Sequence, residues 1–187
     1  MRGLSSAEVR SFAFSAAPDA RVLILGSMPG AESLRRQQYY GHPQNLFWGF
    51  MGRFFGAGPA LVYAERLARL RDGRVALWDV AHRCRRPGSL DSSIERGSVE
   101  PNDFAALFAL CPVIHSVFFN GTKAAELFRR LVLPTLEPPQ AGLSYEILPS
   151  TSPANASIPR AVKLARWGVV KRAAARPVNS ESIVGHD

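Results

Sequence analysis

Four short runs of apolar residues that alternate with helical patterns constrain the fold of this chain more than any other feature of its sequence. The runs cover residues 21–26, 74–80, 115–121 and 144–148. Apolar runs of this length are typical of strands that are buried on both faces of a parallel sheet. Helical periodicity occupies the stretches between and after them, over residues 45–55, 62–72, 102–110, 122–131 and 158–175.

Strands that alternate with helices favour a parallel sheet that is covered on both faces and joined by right-handed crossovers. A chain of 187 residues is long enough for one well-buried domain and short for two. We therefore predict a single three-layer α/β/α domain over residues 1–175, built on a four-stranded parallel sheet. The polar residues 176–187 are predicted to form a flexible tail.

The formal net charge of the chain is +8, and arginine dominates the basic residues. Arg83, Arg85 and Arg86 stand in one predicted loop, and further basic residues crowd the helix predicted over 158–175. Such an excess suits a polyanionic partner, because each neutralised phosphate releases condensed counterions. A genome that places arginine instead of lysine on ordinary surfaces would leave the same composition, so charge alone leaves both explanations open.

Membrane, secreted and metal-binding proteins are disfavoured by the sequence. No apolar run approaches the roughly 20 residues that span a bilayer, and residues 1–20 lack the apolar core of a secretory signal, so we expect a cytoplasmic protein. Cys84 and Cys111 form no C-x-x-C pair, and the histidines are scattered. We expect a monomer with buried, reduced thiols, no metal, no cofactor and no membrane partner.

Ligands of parallel sheets gather beyond the carboxyl ends of the strands. Here those ends read G-S-M-P-G at 26–30, D-V-A-H at 79–82, N-G at 120–121 and P-S-T-S-P at 149–153. All four are rich in polar residues, glycine and proline. The functional site is therefore predicted at the edge of the sheet where these segments converge.

The first of these segments, together with residues that follow it, carries a specific combination. G-S-M-P-G at 26–30 is followed by Y-Y-G-H-P-Q-N-L-F-W at 39–48, which leads into a predicted helix. The combination resembles the first motif of the uracil-DNA glycosylase superfamily. The mismatch-specific uracil/thymine branch has this layout, and the hypoxanthine-DNA glycosylase branch is closer, sharing G-S-M-P and Y-Y-x-H-P-x-N.

The rest of the chain continues the resemblance in family order. Residues 77–91 fit the base-reading motif, residues 120–122 match a strand–glycine–helix step, and S-T-S-P-A-N at 150–155 resembles the minor-groove intercalation loop. The likeness covers about residues 22–157. It implies a compact α/β enzyme that flips uracil or hypoxanthine out of DNA and cuts the N-glycosidic bond, leaving an abasic site.

Two positions depart from the family pattern. The third residue of the first motif, a catalytic Asp or Asn in well-known branches, is Met28, which cannot act on water. The last motif, which usually begins with His or Asn, begins with Ser150. The polar catalytic group must therefore come from elsewhere in the chain.

Cleavage of an N-glycosidic bond builds positive charge on the sugar and negative charge on the departing base. The resemblance places Asn45 in the pocket, where it would position water or stabilise the sugar cation; alternatively, Asn45 caps the helix that follows. Asp79 is costly at the end of a buried strand unless it is bonded or faces a pocket. It would accept the N–H of uracil or hypoxanthine, or act as the anionic catalytic group, or serve as a structural cap.

The remaining site residues are expected around the base and along the DNA. Phe47 is predicted to stack on the base, although aromatic residues more often pack in the core. His82 would assist the leaving base or contact phosphate. The residues expected beside the base are Met28, Tyr39, Phe47, Asp79, His82 and Asn120. The residues expected to contact DNA are Ser27, His42, Arg83, Arg85, Ser150, Ser152 and Asn155, with Arg86 also expected on phosphate.

Two other functions remain open from the sequence. A module of the same fold could recognise damaged or abasic DNA without cutting it, and Met28 favours that reading. An enzyme that acts on free nucleosides would be favoured only if the basic residues proved irrelevant. No lysine stands at a strand end as a Schiff-base nucleophile, so we expect no strand cleavage by β-elimination.

Overall fold

The computed structural model of the protein describes residues 8–177. Its main sheet is built from four parallel strands in the spatial order β3-β2-β6-β7. The strands are β2 (Val22–Gly26), β3 (Val75–Asp79), β6 (Ser116–Asn120) and β7 (Ser144–Leu148). Strands β2 and β3 are buried throughout their length, as continuous apolar runs require. The predicted four-stranded parallel sheet is therefore confirmed.

Within residues 8–177, six α-helices surround this sheet in a three-layer α/β/α arrangement. They are α1 (Ala31–Arg36), α2 (Phe47–Phe55), α3 (Tyr63–Asp72), α4 (Phe104–Leu110), α5 (Thr122–Leu131) and α6 (Arg160–Ala175). Helix α5 packs on β6 and β7, whereas α6 packs on β2, β7 and α2. Five of the six match predicted helices to within a few residues. The short helix α1 was not predicted from the sequence.

Aromatic side chains tie the helices to the sheet and to one another. Phe104 of α4 lies between Trp78 of β3 and Phe128 of α5, with ring centroids 5.1 Å and 5.3 Å away. In a second cluster, Trp167 of α6 contacts Phe47 of α2 at 5.9 Å. Because both clusters are buried, the edge of the sheet that bears the strand ends is held from several sides.

A small antiparallel sheet forms beside the main one and was not predicted. It consists of β1 (Glu8–Arg10), β4 (Ala81–Arg85) and β5 (Glu100–Pro101), in the order β1-β4-β5. The prediction that residues 83–86 form one loop is therefore wrong, because most of that segment pairs on both sides as a strand. No helix within residues 8–177 is long and apolar enough to cross a bilayer. Most of the predicted tail lies outside the described residues.

Candidate active site

A cavity of about 800 Å³ opens at the carboxyl ends of the parallel strands. Its walls come from the segments after β2, β3, β6 and β7, as well as from residues 39–45 and 89–92. A cavity of this size falls in the range that takes a small organic ligand. The strand-end segments that the sequence singled out therefore converge on one site.

Most of the predicted site residues line this cavity, and five do not. The residues that line it are Ser27, Met28, Tyr39, His42, Asn45, Asp79, Asn120, Ser150, Ser152 and Asn155. The residues that lie outside it are Phe47, His82, Arg83, Arg85 and Arg86. The structure thus brings Asn45 and Asp79 together at one cavity, 34 positions apart in the sequence.

Phe47 is not the aromatic residue that faces the cavity. Its side chain is fully buried, and the ring of Tyr40 stacks over it with centroids 4.0 Å apart and planes inclined by 26°. Tyr40 lines the cavity, whereas Phe47 contacts Trp48 and Trp167 behind it. The predicted contact of Phe47 with a base is corrected accordingly, since the first residue of α2 points its ring into the core.

The basic residues of β4 lie on the small sheet, away from the cavity lining. His82 and Arg85 are exposed there. Arg83 donates from Nη2 to Oε1 of Glu100 at 2.6 Å and lies 3.9 Å from Glu8. His82 is therefore not placed beside a bound base, and the charge of Arg83 is balanced by acidic neighbours within the protein.

Asp79 is the most deeply placed carboxyl group of the cavity. It is 3% exposed, and its Oδ2 accepts a 2.6 Å hydrogen bond from Oγ of Ser11. Burial raises the pKa of Asp79 to about 7; the charge of Asp91 adds to this effect, whereas the hydrogen bond from Ser11 and the charge of Arg86 oppose it. The group therefore exchanges its proton near neutral pH, which is common for functional carboxyls in clefts.

Close approach around Asp79 depends on a glycine at the end of the neighbouring strand. Gly26 and Asp79 are register partners in β2 and β3. A Cβ atom at position 26 would lie 2.4 Å from Oδ1 of Asp79 and 3.1 Å from the hydroxyl of Tyr40. Glycine at this strand end therefore leaves space for the carboxyl group of Asp79 and the hydroxyl of Tyr40. The sequence alone did not reveal this requirement for glycine.

Tyr40 was not predicted as a site residue, and it contributes a polar group to this corner of the cavity. Its hydroxyl is buried, and no group within residues 8–177 makes a well-formed hydrogen bond to it, although Asn120 lies close enough to lower its pKa. Burial raises the pKa of Tyr40, with the charge of Asp79 acting in the same direction, so the phenol stays protonated. A buried O–H without a partner is unusual in a folded protein and is available to a ligand.

Asn45 bonds the start of helix α2 and also lines the cavity. Its Oδ1 accepts a 3.0 Å hydrogen bond from the backbone N–H of Phe47, which stabilises the first turn of α2. The residue also lines the cavity, and its Nδ2 makes no hydrogen bond within the described part of the chain. Asn45 can therefore present N–H donors to a ligand while its oxygen caps the helix.

Asn120 connects the end of β6 to the loop over residues 150–155. Its Nδ2 donates to Oγ1 of Thr151 at 2.8 Å, and its Oδ1 accepts from the backbone N–H of the same residue at 2.9 Å. Thr151 is fully buried, and its carbonyl accepts from the N–H of Leu46. The amide of Asn120 thus keeps one N–H at most for a ligand.

A buried lysine supports the 150–155 loop from below, and the sequence analysis did not identify it. Lys163 of α6 is 2% exposed, and its Nζ donates to the carbonyl of Ser150 at 2.7 Å and to the carbonyl of Asn155. The indole of Trp167 donates to the carbonyl of Pro149 at 2.9 Å. Helix α6 therefore holds both ends of the loop. The only indication in the sequence is that Lys163 and Trp167 are four residues apart and so lie on the same face of the helix.

A second carboxyl group of the cavity, Asp91, was also missed. It follows β4 in a 3₁₀ turn over Asp91–Ser93, and its Oδ1 accepts a 2.7 Å hydrogen bond from Oγ of Ser27. Arg86 is 2% exposed and joins the two loops by donating to the carbonyls of Pro29 at 2.5 Å and Gly88 at 3.1 Å. Arg86 is thus a buried support of the cavity rather than a surface residue for phosphate.

The cavity shows no arrangement suited to a metal ion. Among residues 8–177, no three His, Cys, Asp or Glu side chains are grouped so that they could hold one. Both cysteines are free and buried.

Comparison with known proteins agrees with this architecture. The family described as the uracil DNA glycosylase superfamily matches residues 12–168. Proteins named hypoxanthine DNA glycosylase from Methanosarcina acetivorans and Methanosarcina barkeri are 41% and 38% identical over 140 residues, which cover 73% of this chain and 82% of each relative. A solution NMR structure from Methanosarcina acetivorans, described as a candidate uracil DNA glycosylase, has a TM-score of 0.74 and 34% identity over 91% of this chain and 100% of its own.

Proposed function

Because the chain belongs to the uracil DNA glycosylase superfamily and is a DNA glycosylase, we propose that it excises deaminated bases, hypoxanthine and uracil, from DNA. The base is flipped out of the helix into the cavity of about 800 Å³, where its N-glycosidic bond is hydrolysed and an abasic site is left. The relatives named hypoxanthine DNA glycosylase favour hypoxanthine as the better substrate. The observation that carries the proposal is the buried carboxyl group of Asp79 at the bottom of the cavity.

Asp79 discriminates the damaged base from its parent. In its ionised form the carboxylate accepts the N1–H of hypoxanthine or the N3–H of uracil. Adenine and cytosine lack a proton at the corresponding nitrogen, so they would leave a buried carboxylate unpaired. A site built around a buried hydrogen bond discriminates against such analogues by about 10⁴-fold or more.

The other groups of the cavity complete the surroundings of the base. Met28 is 5% exposed and offers an apolar wall, and the ring of Tyr40 lies over Phe47 at the same side of the cavity. Tyr39 contributes its ring, because its hydroxyl already donates to the carbonyl of Ala13 at 3.0 Å. One remaining N–H of Asn120 would reach a carbonyl of the base.

Asn45 acts at the sugar. Its free Nδ2 donates to the oxygen of the attacking water, and the hydrogen bond to its Oδ1 fixes the orientation of the amide. Orientation of reacting groups lowers the barrier because it removes translational and rotational freedom before the reaction. Asn45 is therefore a donor in the reaction and not the base that takes a proton from water.

The loop over residues 150–155 engages the DNA strand. Ser150 and Ser152 bind phosphate together with His42, which also lines the cavity, while Asn155 occupies the space that the flipped base vacates. Ser27, which the sequence placed on DNA, is buried and its hydroxyl donates to Asp91, so it supports the site rather than binding phosphate. Arg85 and His82 extend the contact along the exposed side of β4. The protein is proposed to bind as a monomer.

The enzyme is proposed to be monofunctional, without strand cleavage. The chain has three lysines, Lys123, Lys163 and Lys171, and none of them lines the cavity. Lys163 is already engaged with two backbone carbonyls. Among residues 8–177, no amine therefore lines the cavity in a position to form a Schiff base with the sugar.

A cleavage assay tests the proposal. The protein is incubated with duplexes that carry one hypoxanthine, uracil, xanthine or unmodified adenine, and half of each sample is then treated with alkali. Breakage of the hypoxanthine or uracil strand after alkali alone supports a monofunctional glycosylase. Binding without breakage would instead indicate a recognition module, and breakage without alkali would contradict the monofunctional mechanism.

A further inference from the structure

Three carboxyl groups line the cavity, and they differ in what surrounds them. Glu32 at the rim is paired with two arginines, Arg35 at 2.6 Å and Arg36 at 2.5 Å. Asp79 lies at the bottom and is bonded by Ser11. Asp91 makes no ion pair in the described part of the chain, and one of its oxygens accepts from the hydroxyl of Ser27. Asp79 and Asp91 therefore both lack a direct cationic partner in the described part of the chain, and Asp91 is the less buried of the two.

The position of Asp91 places it nearer the mouth of the cavity than Asp79. Its neighbours in the chain, Leu90 and Ser92, line the cavity and are exposed, whereas Asp79 is 3% exposed at the end of a buried strand. A flipped nucleotide enters with its base leading, and its sugar remains attached to the backbone outside. The base thus meets the bottom of the cavity, and the sugar meets the level of Asp91.

The loop that carries Asp91 is held in place by buried contacts. Arg86 bonds the carbonyls of Pro29 and Gly88, and its remaining nitrogen, Nη1, has no hydrogen-bond partner among residues 8–177. Ser27 fixes Oδ1 of the carboxyl group at 2.7 Å, and Oδ2 makes no hydrogen bond in the described chain. One carboxyl oxygen is therefore oriented by the protein while the other is available to a ligand.

Burial and the neighbouring groups shift the pKa of Asp91 in opposite directions. Burial raises the pKa of Asp91, whereas the hydrogen bond from Ser27 and the charges of Arg86 and Lys123 lower it. The net effect is a raised pKa, which suits Asp91 to take up a proton, and the two positively charged groups limit the rise.

We propose that Asp91 is a catalytic carboxylate of this enzyme that faces the deoxyribose, stabilises its developing positive charge and accepts the proton of the attacking water. This inference rests on the proposed function, since it requires a flipped nucleotide in the cavity. Asn45 donates hydrogen bonds but takes no proton from water, so the reaction needs an acceptor at the level of the sugar. Met28, which lines the same part of the cavity, supplies none.

The reaction balances with these groups. The bond between C1′ of the sugar and the base nitrogen breaks, and its electron pair leaves with the base. The oxygen of water then bonds to C1′ while one of its protons passes to Oδ2 of Asp91. The departing base takes up one proton from solvent, and Asp91 later returns its proton to solvent. The products are the free base and an abasic sugar.

Single-turnover excision of hypoxanthine from a duplex gives the first test. Asp91→Asn keeps an oxygen for Ser27 but removes the negative charge, so we expect the rate to fall about 100-fold or more, as for loss of a positioned proton acceptor. Glu32→Gln is the matched control, because it removes another carboxylate of the same rim, and its rate should stay within about twofold of the unchanged protein. Both variants should bind a duplex with uncleavable 2′-fluoro-2′-deoxyinosine as the unchanged protein does.

A charge-specific readout separates catalysis from a structural role. Dissociation constants are measured for duplexes that carry either a cationic pyrrolidine sugar mimic or a neutral tetrahydrofuran abasic analogue. Asp91→Asn should reduce the preference for the cationic mimic about tenfold or more, as expected for loss of a charge partner near the cation, whereas Glu32→Gln should leave it unchanged.

The outcomes distinguish this inference from the proposed function. If the unchanged protein excises hypoxanthine and Asp91→Asn retains both the rate and the cation preference, Asp91 is not catalytic and the proposed function stands. If Asp79→Asn instead abolishes the cation preference, the sugar faces Asp79 and the assignment of Asp91 is overturned. If the unchanged protein releases no base, both inferences fail together.

Discussion

Gly26 and Asp79 face each other at the ends of two adjacent parallel strands, and Oδ1 of Asp79 occupies the space next to the missing side chain of Gly26. A Cβ atom at position 26 would lie 2.4 Å from that oxygen. Real Cβ atoms do not approach other atoms so closely, so any side chain here displaces the carboxyl group. The position of the Asp79 carboxyl group is therefore set by a residue that bears no functional group.

The substitution Gly26→Ala should consequently abolish most of the activity. We expect single-turnover excision to fall about tenfold or more, because a carboxylate displaced by roughly an ångström loses its contact with the base. Gly30→Ala is the control, since it lies in the same strand-end segment and a Cβ there meets nothing within 4 Å. Equal rates for the two variants would contradict the role of Gly26.

The pH dependence of excision should follow the ionisation of Asp79. Because burial raises the pKa of this group to about 7, activity should rise with pH through the neutral range as the carboxylate forms. Ser11 lowers that pKa through its hydrogen bond, so Ser11→Ala should shift the acid limb to higher pH. The control is Ser15→Ala, because Ser15 lies in the same segment but is bonded to Arg71. The pH–rate profile of this variant should not shift. If the acid limb of the pH–rate profile does not shift in Ser11→Ala, Asp79 is not the group whose ionisation controls activity.

The same ionisation affects stability with a defined sign. The folded-state pKa of Asp79 lies above its ordinary value of 3.8, so the folded protein holds this proton more tightly than the unfolded chain. The contribution of Asp79 to stability is therefore greatest below pH 3.8 and is lost progressively as the pH rises to about 7. Asp79→Asn should raise the melting temperature more at pH 8 than at pH 5, and calorimetry at the two pH values would show it.

Asn45 allows its capping and catalytic roles to be separated. Asn45→Ala removes both, so excision should fall about tenfold or more and the protein should lose about 1 kcal/mol of stability. Asn45→Asp retains an oxygen for the N–H of Phe47 but loses the N–H donors. Asn45→Asp should therefore have the melting temperature of the unchanged protein but not its rate of excision. Recovery of both in Asn45→Asp would mean that the residue acts only as a helix cap.

Lys163 offers a test of the 150–155 loop. Lys163→Met keeps the apolar stem but leaves the carbonyls of Ser150 and Asn155 without their donor, at a cost of about 1–3 kcal/mol for each buried group. Excision from duplex DNA should fall more than excision from single-stranded DNA, because only in a duplex must the loop occupy the gap that the flipped base leaves in the base stack. Lys171→Met on the exposed side of the same helix is the control. Equal losses on both substrates would show that the loop has no such role.

The small sheet gives a prediction about salt. Arg85 is exposed, whereas Arg83 is paired with Glu100. Arg85→Gln should reduce the slope of log Kd against log salt by about 0.9, the value for one lost phosphate contact. Arg83→Gln should change the slope less, since its charge is already balanced. Identical slopes for Arg85→Gln and the unchanged protein would remove Arg85 from the DNA interface.

The sequence by itself determined the main sheet, its helices and the location of the site. An apolar run such as residues 22–26 is stable only when both of its faces are covered, so it leaves few alternatives to a central parallel strand. The polar segments after such strands must then meet at one edge. The same reasoning placed Asp79 at this edge, whereas the family resemblance placed Asn45 in the pocket, and both residues line the cavity.

Tertiary structure alone decided which side chains face that cavity. The ring of Phe47 points into the core and Tyr40 takes its place, because the rotation of α2 is set by Trp167 on a helix more than a hundred residues later. The hydrogen bond between Ser11 and Asp79 joins residues 68 positions apart. Asp91 faces the cavity because Ser27 and Arg86 hold its loop, and no local pattern encodes contacts between segments so distant in the chain. Local periodicity specifies which elements form, whereas packing between distant elements specifies where each side chain points.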